Sequence, residues 1–127
     1  MELQKAGTKQ NPSPGVVLTK AVVRAAEHLK LPSATLAKVL GLSPPTITRM
    51  RKGQYILNEN EKPFELAALF IRLYRSLDAI VGGDTGVAAQ WMESMNSALG
   101  GKPVNQIQKV VGLINVLRYL DSRRAIS

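Results

Sequence analysis

The stretch SATLAKVLGLSPPTITRMRKG, residues 33–53, decides the fold. Leu36, Ala37 and Leu40 recur at helical spacing and form the buried side of a first short helix. Ala37 is small enough to let a second helix cross closely. Gly41 supplies the left-handed residue that ends the first helix, and Leu42 plugs the core beneath the turn. Ser33 and Ser43 each stand where an N-cap hydroxyl is needed, and Pro44 follows at a first helical position, where its missing N–H costs nothing. In the second helix Ile47 and Met50 point inward, while Thr46, Thr48, Arg49, Arg51 and Lys52 point out. Two short helices joined by a glycine turn, with cations outside the second, make a helix-turn-helix, whose second helix lies in the DNA major groove. Thr46 and Arg49 are the candidates for base edges. Arg51 and Lys52 either meet phosphate or stay solvated, and the Ser33 and Ser43 helix ends are expected to grip the DNA backbone. Pro45 removes one backbone donor from that grip.

Working outward, Leu18 to Leu31 reads as a helix with Val22, Ala26 and Leu29 on one stripe, ended by Pro32. The polar, Pro- and Gly-bearing residues 1–16 read as a flexible N-terminus with no signal peptide. QYILNENEK, residues 54–62, reads as a linker. A long helix then runs from about Pro63 to Val81, where Leu66, Phe70, Leu73, Leu77 and Ile80 form a seam spaced four, three, four, three. Ala67, Ile71 and Tyr74 occupy an adjoining face, so this helix is either central in its domain or shared with a second copy. Gly82 and Gly83 stop it, and Asp84 or Thr85 caps a helix through Trp91 and Met92 towards Met95. A loop follows over residues 96–102. Pro103 starts a short helix, and a last one from about Gly112 to Arg124 carries Leu113, Leu117 and Leu120. No stretch alternates with period two. The fold class is therefore all-α: an N-terminal helix-turn-helix bundle over 17–60, a long central helix, and a small C-terminal helical domain within 61–127.

The 127 residues hold 17 Lys and Arg against 9 Asp and Glu, a net charge of +8, and at 45% hydrophobic content the chain folds rather than trailing as a basic tail. Residues 1–60 carry nine cations and three acids, whereas 61–127 carry eight and six, so the surplus belongs to the helix-turn-helix half. Cysteine is absent, which excludes disulfides, zinc-thiolate sites and thiol nucleophiles. The single histidine, His28, reads as a surface residue. Asp78, Asp84 and Asp121 are too scattered for a catalytic pair or a metal site, and no glycine-rich phosphate loop follows a strand. The sequence therefore predicts no enzyme, no cofactor and no metal. Arg72, Arg75 and Asp78 interrupt the longest apolar run, so no membrane span is expected and the cytoplasm is the default compartment.

Two resemblances meet in this chain. Residues 33–53 resemble the Xre (Cro/cI-like) helix-turn-helix. LFIRLYRSLDAIVGG (69–83), the Trp91 helix, NSALGGKP (96–103) and GLINVLRYLDSRRA (112–125) resemble the toxin-binding domain of the Xre/MbcA/ParS antitoxins. The resemblance implies a dimeric antitoxin of a bacterial type II toxin–antitoxin pair. It implies as partners operator DNA, whose operon the chain represses, and a toxin with a RES domain that consumes NAD⁺ and whose cleft the C-terminal domain occludes. On that reading Arg118, Asp121, Arg123 and Arg124 at the closing helix enter the toxin cleft, the alternative being a solvated, frayed end. Leu66, Phe70, Ile71, Leu73, Tyr74 and Leu77 serve the core or a dimer interface. Trp91 reads as a core anchor among Ala88, Ala89, Met92 and Met95. Two other functions compete: a stand-alone dimeric transcription regulator, and a scaffold of the kind linked to chromosome-partition proteins.

Overall fold

The computed structural model describes residues 12–126 and, among them, seven helices and no strand. Helix α1 spans Pro14–His28, α2 Ser33–Leu40, α3 Pro44–Arg51, α4 Lys62–Ile80, α5 Thr85–Glu93, α6 Pro103–Gln106 and α7 Val110–Ile126. The all-α expectation holds.

Local capping chemistry sets most of these boundaries. Ser43 accepts a hydrogen bond from the Thr46 N–H at 3.3 Å, and Asp84 accepts one from the Val87 N–H at 3.1 Å. Gly41 sits at φ 70°, which lets the Leu42 N–H reach back to the Ala37 carbonyl at 2.9 Å and close α2. Two expected starts move. Helix α1 begins at Pro14 rather than Leu18, because Ser13 caps it and Pro14 opens it. Residues 14–16 of the expected flexible terminus are thus helical, and residues 1–11 lie outside the described residues. Helix α7 begins at Val110 rather than Gly112. Ser33 is not a cap: Pro32 occupies that position and no side chain caps α2.

The core is organised around α4, which packs most extensively on α7 and next on α1. Phe70, Leu73 and Leu77 are fully buried, as are Leu113, Val116 and Leu120 of α7. Ile71 is also buried, and half-buried Tyr74 meets α1. Ile80 leaves the seam and is 37% exposed. One continuous cluster of buried side chains runs from Val22 of α1 to Leu120 of α7.

Residues 54–61, read as a linker, are a packed strap. Leu57 is buried, and its N–H donates to the Thr19 hydroxyl at 2.9 Å while that hydroxyl donates to the Gly15 carbonyl at 2.6 Å. At Leu57 the strap therefore satisfies its backbone N–H against α1 rather than against water.

At Gly112 a Cβ would collide with the Gln106 carbonyl, so α7 approaches α6 only because this residue has no side chain. Gly112→Ala is expected to lower stability by about 1–3 kcal/mol despite the better helix propensity of alanine. Gly86→Ala, whose Cβ would meet only the Asp84 capping carboxylate at 3.4 Å, serves as the comparison and should change stability far less. Urea denaturation of the two variants measures the difference.

Candidate nucleic-acid and partner-binding surfaces

The outward residues of α3 divide into two groups. Thr48, Arg49 and Lys52 are exposed, as is Ser43 at the helix tip. Thr46 is not on that face: it is 8% exposed, its hydroxyl shares a 2.9 Å hydrogen bond with the Ser43 hydroxyl, and it accepts one from the Arg49 guanidinium at 3.0 Å. Thr46 thus completes the cap and holds the Arg49 side chain along the helix. Arg51 also turns away from the outer face. Its guanidinium donates to the Leu31 carbonyl at 2.9 Å, twenty residues back, and its buried Nε has no hydrogen-bond partner among the described residues. That bond ties α3 to the turn between α1 and α2.

The backbone at the tip of α3 offers less to a phosphate than a usual helix N-terminus. Pro44 and Pro45 have no N–H, the Thr46 N–H is taken by Ser43 Oγ, and the Ile47 N–H is taken by the Ser43 carbonyl. The expected backbone grip at the Ser43 end therefore reduces to the hydroxyl. Helix α2 differs: with no capping side chain, its first N–H groups beside half-buried Ser33 remain available to an anion.

At the other end of the chain, Asp121 is engaged within the fold. Its carboxylate accepts from the buried Ser76 hydroxyl at 2.6 Å and from Arg72 at 3.3 Å, which joins α7 to α4. Arg124 donates to the same Ser76 hydroxyl at 3.4 Å. Arg123 lies over the Tyr119 ring, 5.8 Å from its centre, and donates to the Tyr119 hydroxyl at 3.2 Å. Tyr119 in turn stacks on Trp91, with ring centres 6.4 Å apart and planes 13° apart. Trp91 is half-buried in this ladder rather than enclosed in the core. Arg118, Arg123 and Arg124 are all exposed at the surface of α7. Arg123 and Arg124 are held by built contacts, in contrast to a frayed end.

Two further residues, His28 and Met95, depart from their sequence readings. His28 is half-buried, and its Nδ1 lies 2.6 Å from the Tyr74 hydroxyl, bridging α1 and α4. Burial, with the Asp78 charge nearby, raises the Tyr74 pKa above the usual phenol value, so Tyr74 is neutral in this bridge. Met95 lies beyond the end of α5 and is 71% exposed, as is Val111. Sequence reasoning passed over Val110 and Val111; an apolar pair directly after Lys109 at a helix start was the signal. Among the described residues, no three His, Asp or Glu gather as a metal site would, and no helix is long and apolar enough to cross a membrane.

Arg51→Ala is expected to cost about 1–3 kcal/mol of stability by removing its charged donor from the Leu31 carbonyl. Exposed Lys52→Ala should stay within about 0.5 kcal/mol of the parent. Thermal melts of both variants give the comparison; equal losses would place Arg51 on the solvated face after all.

Two protein-family models match this chain. The antitoxin Xre-like helix-turn-helix domain matches residues 15–72, and the antitoxin Xre/MbcA/ParS C-terminal toxin-binding domain matches residues 76–125. No match was found among curated proteins. The two matched segments meet inside α4, so one unbroken helix carries the end of one and the start of the other.

Proposed function

The chain belongs to the Xre/MbcA/ParS antitoxin family, and from that premise we propose that it neutralises a RES-domain toxin that consumes NAD⁺ and represses its own operon as a dimer. A helix-turn-helix and a toxin-binding domain, in that order, make it an antitoxin of a type II system with DNA and a toxin as partners. We also propose a division of the chain at about residue 60, a non-enzymatic role and a cytoplasmic location.

The observation that carries the toxin reading is the arginine cluster on the last turns of α7. Arg118, Arg123 and Arg124 project from a helix that Asp121 and Ser76 fasten to α4, so the cations are presented from a fixed base. A cleft that binds NAD⁺ can hold the ribose hydroxyls with carboxylates, and a guanidinium engages a carboxylate by planar, bidentate contact. Entry of this end would exclude the dinucleotide. In this reading Arg118, Arg123 and Arg124 act on the toxin, whereas Asp121 positions them.

On the DNA side, Arg49 and Thr48 are proposed to reach base edges, with Lys52, Ser43 and the open N-terminus of α2 at Ser33 on the phosphates. Thr46 acts through Arg49, and Arg51 by fixing the helix. Few backbone amides are free at α3, so affinity rests on side-chain cations.

Expression of the protein encoded beside this chain should arrest growth and lower cellular NAD⁺, and co-expression of this chain should restore both. Failure to restore them would sink the proposal. Deleting residues 122–127 should abolish the rescue while leaving the fold and operator binding in place. Arg49→Ala should weaken operator binding about tenfold or more and leave the rescue intact. Operator affinity should also fall steeply between low and moderate salt, and a flat salt response would remove α3 from the binding.

A further inference from the structure

The matched toxin-binding segment contains a second surface, separate from the arginine cluster. A hollow of about 580 Å³ lies between the turn after α5, α6 and the start of α7. Met95, Leu99 and Val111 give it an apolar lining, and Lys102, Asn105 and Lys109 a polar one. Met95 and Val111 are each 71% exposed, in a chain whose other large apolar side chains are mostly buried. None of the tail arginines and no residue of α1 to α4 lines it.

The walls are built rather than loose. Asn96 and Gly101 pair as an isolated antiparallel bridge, and the Asn96 side chain accepts from the Leu99 N–H at 3.1 Å. The Gln106 side-chain amide donates to the Leu99 carbonyl, fastening the turn to α6, and Gly112 lets α7 close against Gln106. A surface held in this way loses little freedom when a partner docks.

Charge decides between occupants. Two lysines line the hollow and no acid does. A two-fold contact between copies would set this patch against itself and bring like charges together. A different protein carrying an apolar side chain flanked by carboxylates would satisfy both features at once. We infer that this hollow is a toxin-anchoring surface, taking an apolar side chain of the toxin with acidic neighbours while the α7 arginines act at the cleft. The inference rests on the antitoxin reading above and adds a division of labour: the hollow supplies affinity and the tail supplies inhibition.

The test uses the full chain co-purified with the protein encoded beside it. Met95→Asp with Val111→Asp, and separately Lys102→Glu with Lys109→Glu, should each weaken that complex about tenfold or more. All four side chains are at the surface, and unchanged melting of the free variants confirms that the fold is kept. Deleting residues 122–127 should leave the complex formed but the toxin active. Hollow variants that bind the toxin as tightly as the parent, while the tail deletion prevents binding, would overturn the inference and leave the antitoxin reading standing. A parent chain that captures no neighbour protein would overturn both. Variants that instead halve the mass of the free chain in solution would show that the hollow receives a second copy, which also overturns it.

Discussion

Burial of α4 on two sides is the constraint on which the rest of this structure depends. Phe70, Leu73 and Leu77 are buried on a helix that packs against both α7 and α1, and Tyr74 meets His28 of α1. Replacing one such buried aromatic or leucine by alanine typically costs about 2–5 kcal/mol, a large share of the stability of a domain this size. The two matched segments meet within this helix, so neither has a core wholly its own. Helix α4 therefore acts as a beam to which both functional ends are fastened. The helix-turn-helix is braced through α1 and the Leu57 strap, and the arginine-bearing helix through Ser76 and Asp121.

The two ends are stabilised by different physics. In the helix-turn-helix, two polar side chains read from the sequence as facing outward instead build the element. Thr46 closes the cap, and Arg51 reaches the Leu31 carbonyl. Two prolines and Ser43 leave the tip of α3 with few free amides, which shifts the expected anion contacts to side-chain cations and to the uncapped start of α2. At the far end, the Trp91–Tyr119–Arg123 ladder and the Ser76–Asp121 hydrogen bond hold cations in place without neutralising them all. The ion pair between Arg72 and Asp121 is partly exposed and contributes about 1 kcal/mol or less on its own. Its use is positional.

What was legible in the sequence was chemistry confined to a few neighbouring residues. Caps at Ser43 and Asp84, the left-handed Gly41, and proline starts at Pro44 and Pro103 all lie where local rules place them. The α4 seam was legible for the same reason, since its period is written in one segment. Contacts between residues far apart in the chain were not legible. Nothing near His28 announces Tyr74, nothing near Asp121 announces Ser76, and the polar surroundings of Leu57 hide that it fills the core. Ser33 misled for a subtler reason: a serine after a proline fits a cap, but Pro32 itself has the extended backbone of the cap position. Met95 misled because its spacing continues α5, whereas that helix ends at Glu93.

The residues proposed for DNA, at α2 and α3, and those proposed for the toxin, on α7, have no member in common, so one copy of the chain is proposed to hold both partners at once. Native mass spectrometry of this chain mixed with the DNA upstream of its gene and with the protein encoded beside it tests that claim most directly. A species containing all three components is the expected result. Detection of only the two pairwise complexes, each displacing the other, would contradict it.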